Sequence, residues 1–273
     1  MPKFAPISSD LSYWQKQTQP LFDSLAWNIP EQKTGQVAII GGNSQSFSTV
    51  IRVSEFIAQS YPIKNLTTVL PDPLRAKIPP LPNITFLPAT ESGSFAKSAQ
   101  LHLACNQPDA TLLIGDLSRN SATAVALAGA IKPSDKAEPN LLVLARDSID
   151  LITPEATNWL ERKNTIIIAS MLQLQKLFRA VYYPRMILLS QPLIPTIETL
   201  HKFTLTYPAT ILTFHQDNII VASDGKISTT YINDTTYSPL SLWSGTLAAH
   251  VTALNLFNPK QPFAATTAAI LRH

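Results

Sequence analysis

Short apolar runs recur along the first two thirds of the chain and alternate with segments whose apolar residues follow helical spacing. Runs of this length are typical of strands covered on both faces, and their alternation with helices is typical of a parallel α/β sheet. The predicted strands are Gln36–Ile40, Leu66–Leu70, Thr111–Gly115, Leu141–Leu144 and Thr165–Ala169. The predicted helices between them are Phe47–Ser60, Ser121–Ile131 and Glu155–Arg162.

The last third has a different pattern, in which β-prone runs follow one another without a helix between them. The three runs are Ala209–Phe214, Asn218–Ala222 and Ile227–Ile232. An Asp224-Gly225 pair separates the second run from the third, and such a pair between β-prone runs predicts a hairpin. Two helices are predicted to close the chain, Leu242–Phe257 and Phe263–Leu271. The pattern as a whole predicts an α/β domain with a mostly parallel central sheet and a late β-hairpin.

The segment from Leu11 to Trp27 has aromatic and aliphatic residues at helical spacing and is predicted to be a leading helical arm. Pro20 is expected to break or kink this helix, because proline lacks a backbone N–H and clashes with the preceding turn. No internal repeat, linker or low-complexity block divides the rest of the chain. We therefore expect a single domain over residues 1–273, with residues 1–32 as the arm.

Composition narrows the class of protein. The 273 residues are 45% hydrophobic and 14% charged, which permits a sizeable core and argues against disorder. The net charge is +3 and the basic residues are scattered, so we expect neither a nucleic-acid partner nor a membrane surface. The single cysteine, Cys105, fits a reducing compartment. There is no signal pattern in residues 1–10 and no apolar run near the roughly 18 residues of a membrane span, so we expect a cytoplasmic protein.

Glycine is scarce. The chain has 8 glycines and 22 prolines, whereas average usage would give about 19 glycines. Loops that hold phosphate use glycine where the backbone must approach the ligand closely, so the composition limits how many such loops the chain contains. The patterns G-x-G-x-x-G and G-x-x-x-x-G-K are absent, which excludes the usual Rossmann and P-loop signatures.

A turn of small residues, Ser244-Gly245-Thr246, precedes the helix predicted near the C-terminus. Backbone N–H groups and the positive end of the helix dipole converge at such a turn, so it can hold a phosphate or an oxyanion. No carboxylate is adjacent, and a threonine hydroxyl does not act as a general base at neutral pH. The alternative is a plain helix N-cap, which stabilises a helix by roughly 1 kcal/mol.

Four segments resemble, in order and spacing, the NAD(P)H-hydrate dehydratase family, also known as the C-terminal domain of YjeF-type proteins, within the ribokinase-like superfamily. The similarity runs from about Lys33 to the C-terminus. The segments are Lys33–Asn43 (the opening strand and Gly-Gly turn), Asp109–Gly115 (the central strand), Val143–Ile149 (a V-L-D-A-D-A-L segment) and Ile219–Gly225 (the late hairpin). The resemblance implies a three-layer α/β/α ribokinase-like fold.

Such enzymes repair hydrated NADH and NADPH by a dehydration that ATP or ADP drives. The resemblance therefore implies lyase chemistry, an adenine nucleotide and an NAD(P)H-like molecule as ligands, and a homo-oligomer, as in relatives. The nucleotide-binding residues that it implies are Ser244, Gly245 and Thr246.

Most working positions of the family's motifs are substituted. The substitutions are Thr246 for the catalytic acid, Phe214-His215 for a Lys-Gly pair, Ser170 and Gln173 for a His and a Glu, Gly115–Arg119 for a Gly-rich G-P-G-L-G loop, and Ser48–Val50 for a Thr-Gly-Ala stretch.

Polar residues follow three of the predicted strands, where open α/β sheets bind their ligands. The candidate residues of this cleft are Gly42 and Asn43 after the first strand, Asp116 after Gly115, and Asp147 after Leu144. Asp147 is the candidate catalytic acid, because the matching position of the family lies in the active cleft. The alternatives are a plain structural corner for the Gly-Gly turn and a solvated loop residue or helix cap for each aspartate.

Two hypotheses of function follow, and they belong to different classes. In the first, the protein is a dehydratase that binds ATP or ADP near Gly245, with Asp147 or Asp116 substituting for the missing acid. In the second, it is a non-catalytic relative that keeps the fold as a nucleotide-binding or assembly module. The missing motif residues favour the second hypothesis for mechanism, because a fold does not imply a function. No histidine, cysteine or carboxylate spacing typical of a metal site occurs, so no metal site is predicted.

Overall fold

Ten strands form one sheet in the part of the chain that the computed structural model describes, which comprises residues 12–17, 28–79, 81–132, 138–232 and 244–271. The strands are β1 (Trp14–Gln17), β2 (Thr34–Gly41), β3 (Ile63–Pro71), β4 (Ile84–Leu87), β5 (Ala110–Gly115), β6 (Leu141–Ala145), β7 (Thr165–Ser170), β8 (Thr210–His215), β9 (Asn218–Ser223) and β10 (Lys226–Tyr231). Their order across the sheet is β1-β10-β9-β8-β7-β6-β5-β2-β3-β4.

Helices cover both faces of the sheet. They are α1 (Ser48–Ser60), α2 (Ala99–Asn106), α3 (Ser121–Ala130), α4 (Asp147–Ile152), α5 (Ala156–Leu160), α6 (Met171–Ala180), α7 (Leu193–Thr206), α8 (Thr246–Phe257) and α9 (Pro262–Leu271). Two short 3₁₀ turns, Asp72–Leu74 and Thr153–Glu155, lie among the connections.

Alternate residues of each strand enter two separate hydrophobic cores. On β2, Ala38 and Ile40 pack with α2 to α7, whereas Val37 and Ile39 pack with α1, α8 and α9. All four side chains are almost completely buried. A strand that is apolar at every position is therefore required here, because each face of the sheet is covered. The observed architecture is the expected three-layer α/β/α arrangement.

Strands β2 to β8 pair in parallel, and β9 runs antiparallel between β8 and β10. The predicted late hairpin is confirmed as β9 and β10. Its turn residues Asp224 and Gly225 both have positive φ, 48° and 71°, as a type I′ turn requires. The predicted parallel strands are also confirmed, with ends that differ by up to three residues, as at Ile63, which precedes the predicted start at Leu66.

The predicted leading helix is wrong for the residues of that segment that the structure describes. Trp14–Gln17 form strand β1, which pairs in parallel with Ile227–Thr230 at the edge of the sheet. Indole Nε1–H of Trp14 donates to Oγ1 of Thr229 at 3.0 Å. Backbone pairing with the exposed edge of β10 outweighs the helical spacing of the apolar residues. Pro20 and the rest of the segment up to residue 27 lie outside the described residues.

Helices α2, α4, α6 and α7 were not among the predicted elements. The first helix of the closing pair, predicted from Leu242, begins at Thr246 in the described residues, and Leu242 lies outside them. No described helix is both long and apolar enough to cross a membrane.

Replacing each of two glycines with alanine is predicted to change the free energy of unfolding in opposite directions. A Cβ on Gly41 would lie 2.5 Å from the carbonyl oxygen of Gly115, so we expect Gly41→Ala to lower the free energy of unfolding by about 3 kcal/mol. Gly129 lies in α3 with no atom within 4 Å of such a Cβ, so Gly129→Ala should raise it by about 0.5–1 kcal/mol. Urea unfolding of both variants measures these changes in the free energy of unfolding. Equal changes in the two variants would contradict the close packing described for β2 and β5.

Candidate functional site

The carboxyl ends of β2 and β5 define a topological switch point. Strand β2 lies between β3 and β5, so the chain leaves β2 toward β3 on one side and later returns to β5 on the other. Open α/β sheets bind ligands in the crevice that such a reversal opens at the carboxyl ends of the strands. Gly42 and Asn43 follow β2 at this point, and Asp116 follows β5.

The Gly42-Asn43 turn is fixed by hydrogen bonds across the switch point. The backbone N–H of Gly42, which has φ 93°, donates to the carbonyl oxygen of Gly115 at 2.9 Å. The Asn43 amide donates to the carbonyl oxygen of Asp116 at 2.7 Å, and Asn43 Oδ1 accepts the N–H groups of Gln45 and Ser46. Asn43 thus joins the two strand ends and shapes the turn that leads into α1.

Asp147, the candidate catalytic acid, holds the loop after β5. Its Oδ1 accepts the N–H of Asp116 at 2.9 Å, and its Oδ2 accepts the N–H of Leu117 at 3.0 Å. Gly115, with φ 99°, permits this approach, because a Cβ there would collide with Oδ1 of Asp147. Both oxygens of this carboxylate are therefore engaged with the backbone.

Asp116 connects the loop to the N-terminus of α1. Its Oδ2 accepts the N–H of Thr49 at 3.3 Å, and its Oδ1 lies 3.0 Å from Nη2 of Arg146. Asp116 is also one of the described non-glycine residues with positive φ, at 57°, and Arg146 is another, at 59°. Residues in this part of the backbone map store strain of about 1–3 kcal/mol, which is common at binding sites.

Arg146 was not among the candidate residues. Its side chain is 17% exposed, and its Nε and Nη1 are buried without a hydrogen-bond partner among the described residues. The signal in the sequence was a cation at the end of a buried strand, beside Asp147. Its pairing with Asp116, which is 30 positions earlier, depends on the parallel pairing of β5 and β6, which brings the ends of these two strands side by side.

The Ser244-Gly245-Thr246 turn lies against α1, next to this junction. A Cβ on Gly245 would lie 2.6 Å from Cγ2 of Val53, and Gly245 has φ 86°. Arg52 Nη2 donates to the carbonyl oxygen of Ser244 at 3.2 Å. The N–H of Thr246 donates to Ser244 Oγ at 3.3 Å. The N-terminus of α8 and the Asp116 junction at the N-terminus of α1 are thus adjacent, which places all seven candidate residues in one region.

Ser170 and Gln173, which the sequence resemblance aligns with a His and a Glu, form a helix cap. Ser170 Oγ accepts the N–H of Gln173, and Gln173 Oε1 accepts the N–H of Ser170, which together form a capping box at the start of α6. The Gln173 amide also donates to Asp150 Oδ2 and to the carbonyl oxygen of Arg146. These residues order the neighbouring strand ends and supply neither a base nor an acid.

Other groups with potential chemistry lie outside this region. His215 hydrogen-bonds through Nε2 to the carbonyl oxygen of Gln191. Burial raises the pKa of the Cys105 thiol to about 12, although the nearby Arg162 acts in the opposite direction, so Cys105 is a core residue and not a nucleophile. Within the described residues, no group of three or more His, Cys, Asp or Glu side chains is arranged to hold a metal ion.

The fold is similar to solved ribokinase-like structures. A ribokinase-like superfamily protein from Enterococcus faecalis V583 aligns with a TM-score of 0.69 and 14% identity, over 96% of this chain and 86% of that chain. The ADP/ATP-dependent NAD(P)H-hydrate dehydratase from Bacillus subtilis, co-crystallised with ATP/Mg²⁺, aligns with a TM-score of 0.56 and 12% identity, over 91% of this chain and 84% of that chain. Bacillus subtilis pyridoxal kinase, solved as an ADP complex, gives 0.51 and 13%, over 87% and 90%.

No protein-family model matches the chain, and no curated protein matches it. At 12–14% identity the structural likeness establishes the fold and nothing finer. The protein therefore has the ribokinase-like fold.

The role of Asp147 in ordering the loop predicts a large effect on stability. We expect Asp147→Ala to lower the free energy of unfolding by about 3 kcal/mol, because two part-buried N–H groups would lose a charged acceptor. Asp72→Ala is the matched control: its carboxylate is 44% exposed and pairs with Arg75 at the surface, so its loss should cost less than about 1 kcal/mol. Urea unfolding compares the two, and equal values would contradict the role assigned to Asp147.

Proposed function

We propose that this protein binds the phosphates of an adenine nucleotide, ATP or ADP, at the switch point between β2 and β5, and that it does so without catalysing a reaction. The observation that carries the proposal is the engagement of both candidate acids: Asp147 with two backbone N–H groups, and Asp116 with Thr49 and Arg146. The protein would act as a nucleotide-binding or assembly module, in a reducing compartment such as the cytoplasm.

Nucleotide binding is supported by the groups that surround the Ser244-Gly245-Thr246 turn. The first N–H groups of a helix such as α8 point out of its N-terminus, and the helix dipole favours an anion there. The exposed Arg52 adds a positive charge beside the turn, at 3.2 Å from the carbonyl oxygen of Ser244. At the neighbouring Asp116 junction, Nε and Nη1 of Arg146 have no hydrogen-bond partner among the described residues, and they are further donors that an anionic oxygen would satisfy.

Catalysis is disfavoured by the same geometry. The sequence resemblance aligns Thr246 with the family's catalytic acid, and Thr246 has no carboxylate with which to take a proton. Freeing Asp147 for that task would release the loop that it holds, and freeing Asp116 would leave Arg146 without its ion-pair partner. The cost of either change argues against a dehydratase or kinase that uses them as the base.

The class of ligand is supported by the solved structures of similar fold, since one was co-crystallised with ATP/Mg²⁺ and another holds ADP. An NAD(P)H-like molecule is the second ligand to test, because the resemblance of the sequence is to enzymes that act on hydrated NAD(P)H. A homo-oligomer is also part of the proposal.

Thermal unfolding with and without ATP, ADP and NADH tests the proposal. A ligand that binds only the folded protein adds about 2.7 kcal/mol at 100 times its Kd, which should raise the melting temperature by about 5 °C or more. We expect this shift with ATP or ADP and its loss in Arg52→Glu, which reverses the charge beside the turn.

Lys64→Glu is the control for Arg52→Glu, because it reverses an exposed charge at the amino end of β3, whereas the switch point lies at the carboxyl ends of the strands. It should keep the nucleotide shift. No shift of the wild-type protein at millimolar nucleotide, or an equal loss in both variants, would refute the proposed site.

A further inference from the structure

Large apolar side chains are exposed together in the segment between α6 and α7. Tyr182 is 92% exposed, Met186 59%, Leu188 46% and Leu189 59%. Monomeric proteins rarely expose several such side chains in one short stretch, and where they do the patch commonly binds something. The segment belongs to none of the candidate residues at the switch point.

A cavity of about 450 Å³ lies beneath this segment, bounded by Phe178, Arg179, Tyr182, Tyr183, Arg185 and Met186 among others. Phe178 is buried and stacks on Phe203 with ring centroids 4.2 Å apart, and the ring of Tyr183 meets Phe178 edge to face at 5.2 Å. Cavities of 300–1,000 Å³ with mostly apolar walls are typical of small-molecule sites. The aromatic stack makes this wall a preformed apolar surface.

The rim of the cavity is cationic. Arg179 is exposed, and its guanidinium has no hydrogen-bond or ion-pair partner among the described residues. Arg185 lies 3.3 Å from Glu198, which also pairs with Lys202 at 2.8 Å, so this carboxylate is shared between two cations. Lys176, earlier on α6, is paired with Asp150. The guanidinium of Arg179 is therefore available to an anionic ligand in the cavity.

Tyr182 occupies a backbone position that favours glycine. It follows the C-cap residue of α6 with φ 51°, and the N–H of Tyr183 donates to the carbonyl oxygen of Phe178 at 2.9 Å, as in a Schellman-type cap. A side chain in this left-handed conformation is strained, and glycine is the residue that stability alone would select. A tyrosine that is both strained and exposed at the cavity rim indicates a role for its ring in contact with a ligand.

We propose that this cavity binds a free amphipathic carboxylate, with its apolar body against Phe178, Tyr182 and Met186 and its carboxylate at Arg179. A second copy of the chain fits less well, because a two-fold contact would bring together the Arg179 of each copy, which has no ion-pair partner among the described residues. The cavity is also separate from the nucleotide site, since it lies at the far end of the ten-residue helix α6, about 15 Å from the strand ends.

Calorimetric titration with octanoate tests the proposal. We expect saturable one-to-one binding, and an affinity about tenfold lower in Arg179→Ala, because the carboxylate would lose its cation. Tyr182→Gly should weaken octanoate binding while its melting temperature is unchanged or higher, since it removes the strained side chain. Lys64→Ala, which removes an exposed cation on β3, is the matched control and should bind as the wild type does.

Octan-1-ol and light scattering complete the test. Octan-1-ol should bind at least tenfold more weakly than octanoate, and its affinity should be the same in the wild type and in Arg179→Ala. Absence of saturable octanoate binding, or equal affinities of wild type and Arg179→Ala for octanoate, would overturn the proposal. A wild-type dimer in light scattering that Leu188→Asp converts to a monomer would also overturn it, because the patch would then be an interface between copies.

Discussion

The carboxylate of Asp147 holds together the carboxyl ends of the central strands, where all the candidate residues lie. It lies at the start of α4 and accepts two successive N–H groups from the loop after β5. This contact requires Gly115, since any side chain there would collide with Oδ1. It also sets the position of Asp116, whose own carboxylate caps α1 and pairs with Arg146. One charged group thus fixes a loop, a helix N-terminus and an ion pair at the switch point.

Under the proposed function, the same contacts explain how a ribokinase-like fold is kept without a free catalytic base. Carboxylates that accept backbone N–H groups stabilise the fold, but they are then committed to it and are poor choices for moving protons. Ser170 and Gln173, which the sequence resemblance aligns with a His and a Glu, form a capping box and so also stabilise the fold. Gly245, one of 8 glycines in the chain, allows its turn to pack closely on α1 and β5, because a Cβ there would lie 2.6 Å from Cγ2 of Val53 and 3.2 Å from Cδ1 of Ile114.

The strands could be predicted from the sequence because a strand covered on both faces must be apolar at nearly every position. Helix α7 could not, because Pro195 and its many threonines and β-branched residues lower its helix propensity, while burial of Leu200 and Phe203 stabilises it. Strand β1 was predicted as helix, since its partner β10 is more than 200 residues away. The candidate residues of the cleft were predicted from strand ends and their role stays a prediction, but the Arg146–Asp116 pair depends on strand register, which no local pattern encodes.

The rate of dehydration of hydrated NADH in the presence of ATP decides whether this protein binds nucleotide without catalysis. It is followed by the near-ultraviolet absorbance of the NADH that forms. We expect that the wild-type protein, under conditions where nucleotide raises its melting temperature, does not exceed the uncatalysed rate. A saturable, ATP-dependent rate in the wild type would contradict it, because a proton acceptor would then be at work in a site whose two carboxylates are committed to the fold.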